Sequence, residues 1–255
     1  MLRLPRRPGA AASLAREVCL LPRLEGALPV PVPRVEHVGG PGSGYPHGWA
    51  VLGWLVGEDG WAARAHVADP RGDAFAEDVA AAVLALRALT TPDGVPDRDP
   101  GQRGGPLAGV LDRADRWLGG AEGPLPGDVD RGAVRRVLDA CRGADDDTVP
   151  RVLTHGDLIP GNVLLTGDRL AAVIDWGYLS TADPALDLVP AWALLGSRAR
   201  RRFRVLLAPD DATWTRARAT ALEQALGGIL YYTPRRHPLA DVMRRTLGEL
   251  LADDA

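Results

Sequence analysis

The chain has 255 residues, 46% of them hydrophobic and 25% charged, with a net charge of -3. This is enough apolar material for a full core, which excludes a disordered chain or a small repeat array. The near-neutral charge argues against nucleic acid as the main partner, because a polyanion is held by a basic field.

Leu2 to Pro5 reads as a short strand, ended by Pro5 and the Pro8-Gly9 pair. A helix from Ala10 to Leu21 follows, with Leu14, Val18 and Leu21 on one face, Ser13 as its cap and Pro22 as its stop. Leu28 to Pro33 is extended, Arg34 to His37 begins another strand, and Gly39 to Gly48 is a turn-rich loop. Trp49 to Leu55 reads as a buried strand running into Val56, Gly57 and Glu58, which connect to a mostly helical remainder. Helices are expected at 71–90, 106–119, 129–142, 185–195, 198–207, 211–227 and 239–252. In the first, Phe75, Val79, Val83, Leu86 and Leu89 recur at helical spacing and should face the core. Pro92 to Gly105, rich in Pro, Gly and Asp, either contacts substrate or joins helices, and reads as a plain connector. Ile229 to Pro234, with Tyr231 and Tyr232, either ends a helix or walls a pocket.

Cys19 and Cys141 are far apart and lack CxxC spacing, so they read as reduced, buried thiols rather than a disulfide or zinc site. No apolar run reaches the roughly 18 residues that cross a bilayer, and no signal-peptide segment is evident. The expectation is a cytoplasmic protein with no membrane partner. Solenoid-type repeats are absent from the sequence.

The densest chemistry lies between His155 and Gly177, HGDLIPGNVLLTGDRLAAVIDWG. Two apolar runs, 162–165 and 170–174, flank the turn Thr166-Gly167-Asp168 and predict a hairpin whose open end carries Asn162 and Asp175. An amide oxygen and a carboxylate are hard ligands suited to Mg²⁺, which takes its remaining ligands from water and phosphate. Asp157, on the preceding loop, is placed to accept a proton from a substrate hydroxyl. The pattern suits metal-assisted phosphoryl transfer.

At these residues the chain resembles the aminoglycoside phosphotransferase family, the small-molecule branch of the protein-kinase-like fold. HGDLIPGN stands where protein kinases carry H-R-D-x-x-x-x-N, IDWG where they carry D-F-G, and DPALDL at 183–188 continues the resemblance. The resemblance implies an α+β, two-lobed fold. Residues 1–57 would form an N-terminal antiparallel sheet lobe and residues 58–255 a mainly helical C-terminal lobe. It also implies ATP or GTP as donor, Mg²⁺ as cofactor and a small-molecule hydroxyl as acceptor. Asp157 would be the catalytic base, with Asn162 and Asp175 as metal ligands. His155 and Trp176 would serve by packing, and Asp187 by accepting backbone hydrogen bonds from the catalytic loop. Asp183 would cap the next helix.

The resemblance further gives Arg3 the phosphate-binding role that the family assigns to a lysine, and Glu17 the role of its ion-pair partner. All 30 basic residues are arginine, so an arginine must do this work, and its longer planar fork is not geometrically equivalent to lysine. If Arg3 belongs to the third strand, the first two strands and the phosphate-covering loop lack counterparts, which truncates the sheet lobe. Its open edge would then invite a homodimer. The acceptor stays open at this level. An aminoglycoside would need acids, for which Asp210, Asp211 and Glu223 are available but read as surface charge. Trp192, Trp214, Tyr231 and Tyr232 could wall an apolar pocket for a macrolide, or belong to the core. The alternatives are a kinase of a small metabolite such as choline, homoserine or a sugar, and a catalytically weak kinase-like binding protein.

Overall fold

The computed structural model of the chain describes residues 1–63, 72–144 and 149–253. Strands β1 (Leu2–Arg3), β2 (Val35–Gly39) and β3 (Trp49–Leu52) form an antiparallel sheet in the order β1-β3-β2, with Arg3 opposite Ala50. Helix α1 (Pro8–Leu24) connects β1 to β2 and buries Leu14, Leu20, Leu21 and Leu24. A second sheet, β4-β6-β7, consists of β4 (Glu58–Asp59) and the expected hairpin β6 (Val163–Thr166) and β7 (Arg169–Val173). Strand β5 (Val152–Thr154) pairs with β8 (Ser180–Ala182). The helices are α2 (Gly72–Ala88), α3 (Leu107–Leu118), α4 (Arg131–Cys141), α5 (Pro190–Ala193), α6 (Ser197–Leu207), α7 (Asp211–Tyr232) and α8 (Leu239–Ala252). The architecture is α+β, with small antiparallel sheets and a mostly helical remainder.

Helical periodicity located these elements well. Phe75, Val79, Val83 and Leu86 are buried and Leu89 packs against the same core; residue 71, the expected start of α2, lies outside the described residues. α7 is buried on most sides, packing against α8, α3 and the 3-10 turn Pro184–Leu188. Among the described residues, no helix is long and apolar enough to cross a membrane.

Several local expectations fail for identifiable reasons. Pro22 lies inside α1 rather than stopping it. A proline so near the C-terminus forfeits one hydrogen bond, which burial of Leu20, Leu21 and Leu24 offsets. Ser13 does not cap α1; it lies within the helix and its hydroxyl donates to the Gly177 carbonyl at 3.0 Å. The continuous helix expected at 185–195 is instead a 3-10 turn followed by α5, because Pro190 lacks the N–H that would continue the helix through it. α7 runs past residue 227 to Tyr232. The buried strand ends at Leu52, leaving Trp54 exposed, and Cys19 is exposed while Cys141 is buried.

Candidate active site

The loop after β5 is fixed by charge and backbone together. Asp187, almost wholly buried, accepts the His155 N–H at 2.7 Å and the Gly156 N–H at 2.9 Å. Such charge-assisted bonds are about twice as strong as neutral ones. The His155 ring is buried edge-on against Trp176, with centroids 4.6 Å apart. Its Nδ1 accepts the Asp157 N–H at 3.2 Å, so Nε2 carries the proton and donates to the Ile174 carbonyl at 3.1 Å. Burial pushes the imidazole below its ordinary pKa, against the opposing pull of Asp187 and Asp157, which keeps it neutral.

Gly156 has φ 79°, and a Cβ there would lie 2.4 Å from Arg98 Nη2. That space belongs to the Arg98 guanidinium, which donates to the Gly156 carbonyl at 3.0 Å. Arg98 is buried, and burial and Arg103 push its pKa down while Asp187 and Asp157 oppose them. Arg103 donates to the same carbonyl at 2.9 Å and pairs with Asp157 Oδ1. The stretch 92–105 is therefore no plain connector: it delivers two guanidinium groups to the loop at Gly156 and Asp157.

Asp157 is held on its other oxygen by Asn162, whose Nδ2 donates to Oδ2 at 3.0 Å and to the Asp157 carbonyl at 2.8 Å. With its amide nitrogen committed to Asp157, Asn162 keeps its side-chain oxygen for another partner. The Asn162 carbonyl accepts the Ile174 N–H at 2.9 Å, so the hairpin sets residue 162 across from the segment that leads into Asp175. Asp175 adopts a left-handed conformation, φ 61° and ψ 65°, and its side chain is 40% exposed. Among the described residues there is no cluster of three or more His, Cys, Asp or Glu that could hold a metal. A divalent cation here would depend on one amide, carboxylate oxygens and its own ligands.

α1 and β1 close the opposite side. Arg3 reaches Glu17 at 3.4 Å and Asp175 at 3.5 Å. Glu17 is fully buried and accepts the Trp176 N–H at 3.1 Å. Burial pushes the Glu17 carboxyl above its ordinary range, Arg3 pulls it down, and the Asp175 charge adds to the rise. Ser13 and Arg16 both donate to the Gly177 carbonyl, tying α1 to the turn after Asp175. Between α1, the 96–102 segment and this turn lies a cleft of about 690 Å³, lined by Arg3, Arg7, Arg16, Arg98 and Asp175.

A second cavity, about 370 Å³, opens on the other side of Tyr178. Asp157 and Arg103 form part of its wall, with Trp117, Glu223, Tyr231 and Tyr232 opposite. Glu223 pairs with Arg113 at 2.6 Å. Tyr232 stays protonated, because burial and then the Asp157 charge raise its pKa.

Residues 1–222 match the model of the phosphotransferase enzyme family, APH. The chain belongs to that family. No curated protein matches it in sequence. Among solved structures, it is similar to the GDP complex of wild-type aminoglycoside 2'-phosphotransferase-IIIa, with TM-score 0.71 and 19% identity over 100% of this chain and 86% of that one. It is also similar to the macrolide 2'-phosphotransferase MphH from Brachybacterium faecium, with TM-score 0.59 and 25% identity over 98% and 83% of the two chains. The family resemblance drawn from HGDLIPGN, IDWG and DPALDL is thus correct, as is the fold it implied.

In this phosphotransferase the structure gathers His155, Asp157, Asn162, Asp175 and Asp187 around one end of the hairpin, with Arg3 and Glu17 facing them from β1 and α1. The three acids considered together from the sequence separate. Asp210 caps α7 by accepting the Thr213 N–H, Asp211 pairs with Arg204 at the surface, and Glu223 alone reaches the cavity. The aromatic set divides too: Trp192 and Trp214 pack on each other in the core, while Tyr231 and Tyr232 line the cavity. Asp183 both caps the 184–188 turn, accepting the Ala185 N–H at 2.9 Å, and pairs with Arg216 at 2.7 Å.

Proposed function

We propose that this protein transfers the γ-phosphoryl group of ATP or GTP to a hydroxyl of a small molecule. The observation that carries this reading is the position of Asp157. Its two oxygens are oriented by Arg103 and Asn162, and it lies on the wall of a cavity of small-molecule size. A carboxylate offers about four acceptor sites, so these two partners leave room for a hydroxyl to donate.

In this reading the arginine-lined cleft takes the donor, and the cavity beyond Tyr178 takes the acceptor. The related structures were solved with GDP and with ADP. Asn162 and Asp175 offer hard oxygens that fit Mg²⁺, which when bound offsets charge on the phosphate oxygens. Arg3, steadied by buried Glu17, supplies positive charge from β1. Asp157 accepts the hydroxyl proton as the acceptor oxygen bonds to the γ-phosphorus and the bond to the nucleoside diphosphate breaks. The buried histidine keeps the loop in place and takes no part in the transfer, since both its nitrogens are committed to the backbone.

The test compares magnesium-dependent phosphoryl transfer by the wild type and by Asp157→Asn. A positioned base contributes about 10²–10⁴-fold, so the variant should lose turnover in that range while keeping its fold. Equal rates in the two proteins would remove Asp157 from the role.

A further inference from the structure

Two residues on the wall of the acceptor cavity each carry a buried polar atom with no hydrogen-bond partner among the described residues. Glu223 is 4% exposed; Arg113 binds one of its oxygens, and Oε2 has no hydrogen-bond partner among the described residues. Trp117 Nε1 is likewise buried and without a partner among them. Both residues line the cavity. Leaving a buried acceptor and a buried donor unpaired is costly, and such atoms on a cavity wall mark where a ligand completes the structure. The chain spends helix stability to bring them there. Gly227 and Gly228 lie inside α7, where a Cβ would come within 2.7 Å of the Trp117 ring and 2.3 Å of Met243. Two interior glycines disfavour a helix, and here they admit the indole and the thioether side chain to the cavity floor.

Resting on the phosphotransferase reading, we infer that the acceptor is an amphipathic alcohol carrying a single basic amine, rather than a polycation. Glu223 Oε2 pairs with the amine, Trp117 Nε1 donates to an ether or hydroxyl oxygen, and the faces of Tyr231, Tyr232 and Met243 cover an apolar body. One unbonded carboxylate oxygen sets the number of amines. Of the two carboxylates on the wall, Asp157 is bound on both oxygens, by Arg103 and Asn162, and Glu223 is bound by Arg113 on Oε1 alone, which leaves Oε2 to accept from one amine. A ligand with several ammonium groups would bury charges that find no partner, beside two guanidinium groups that repel them. The acids that could have widened the site, Asp210 and Asp211, are spent at the start of α7.

Isothermal titration of the full chain with erythromycin, an apolar lactone bearing one dimethylamino sugar, and with kanamycin, a polyamine, decides the matter. Saturable erythromycin binding is expected, at least tenfold tighter than kanamycin. Glu223→Gln should weaken it about tenfold, the loss of one charge-assisted hydrogen bond. Tyr231 is half exposed, so Tyr231→Ala should fold normally and weaken erythromycin severalfold; it keeps the test decisive if Glu223→Gln is unstable. Kanamycin binding as tight as erythromycin, or no saturable erythromycin binding, overturns the inference. Product formation is followed separately with magnesium and ATP or GTP. Glu223-dependent erythromycin binding without phosphorylation supports this pocket chemistry and overturns the phosphotransferase reading. Phosphorylation of kanamycin with no binding of erythromycin does the reverse.

Discussion

Asp187→Asn probes the loop that presents Asp157 without touching a ligand. The carboxylate accepts two backbone N–H groups, from His155 at 2.7 Å and Gly156 at 2.9 Å. Asparagine has nearly the same shape but only one acceptor oxygen, so one N–H would face an NH₂ group in a site where Asp187 is 1% exposed. Losing a hydrogen bond to a charged group costs about 1.5–3 kcal/mol, and the N–H left unpaired adds to that. The substitution also removes the negative charge that favours the charged forms of buried Arg87 and Arg98. A total near 2–5 kcal/mol follows, and at about 2–4 °C per kcal/mol for a chain of this size Tm should fall by roughly 4–20 °C. Thermal unfolding measures the first effect and phosphoryl transfer the second; turnover should fall even below the melting range, because the loop that holds Asp157 loosens. A double-mutant cycle with Arg98→Met separates the charge contribution, and coupling above about 0.5 kcal/mol would show that the two residues act together. A variant with wild-type Tm and wild-type turnover would refute the argument that this carboxylate holds the loop.

Other perturbations test neighbouring parts of the site. Gly156→Ala must place an alanine at φ 79° and a Cβ against Arg98 Nη2; the backbone alone costs about 1–2 kcal/mol, so denaturant midpoints should fall by more in the wild-type background than in Arg98→Ala. His155 is held neutral by burial, its folded pKa below the ordinary imidazole value of 6.5. Its contribution is thus present above that value and lost as pH falls towards the folded pKa. Unfolding curves should show the wild type losing stability relative to His155→Gln on acidification through that window. Glu17 has the opposite sign. Its folded pKa lies above the ordinary carboxyl value of 4.5, so its contribution is complete below that value and lost as pH rises through the folded pKa. Glu17→Gln should therefore gain on the wild type as pH rises from there, and a stability difference independent of pH would contradict the burial argument.

What could be read from the sequence follows the range of the interactions. The β6-β7 hairpin, the buried face of α2 and the acid-amide-acid spacing are local patterns, written within one or two turns of chain, and they appear where periodicity and turn chemistry put them. Arg98 and Arg103 were missed because nothing local marks them. They sit in a stretch without helical or strand period, and their partner Gly156 is 58 and 53 residues away. A faint signal existed in the glycine at 156 itself: where kinases carry an arginine, a residue without a side chain leaves a vacancy that another guanidinium can fill. Glu223 could not be told from Asp210 and Asp211 for a related reason. α7 is buried on nearly every side, so position on the helix does not predict exposure, and the three acids look alike until their neighbours are known. The Gly227-Gly228 pair was the better clue. Two adjacent glycines in the interior of a long helix cost about 1 kcal/mol each relative to alanine. They persist where something must come close, and here what comes close is the Trp117 ring and the Met243 side chain on the wall of the cavity beside Asp157.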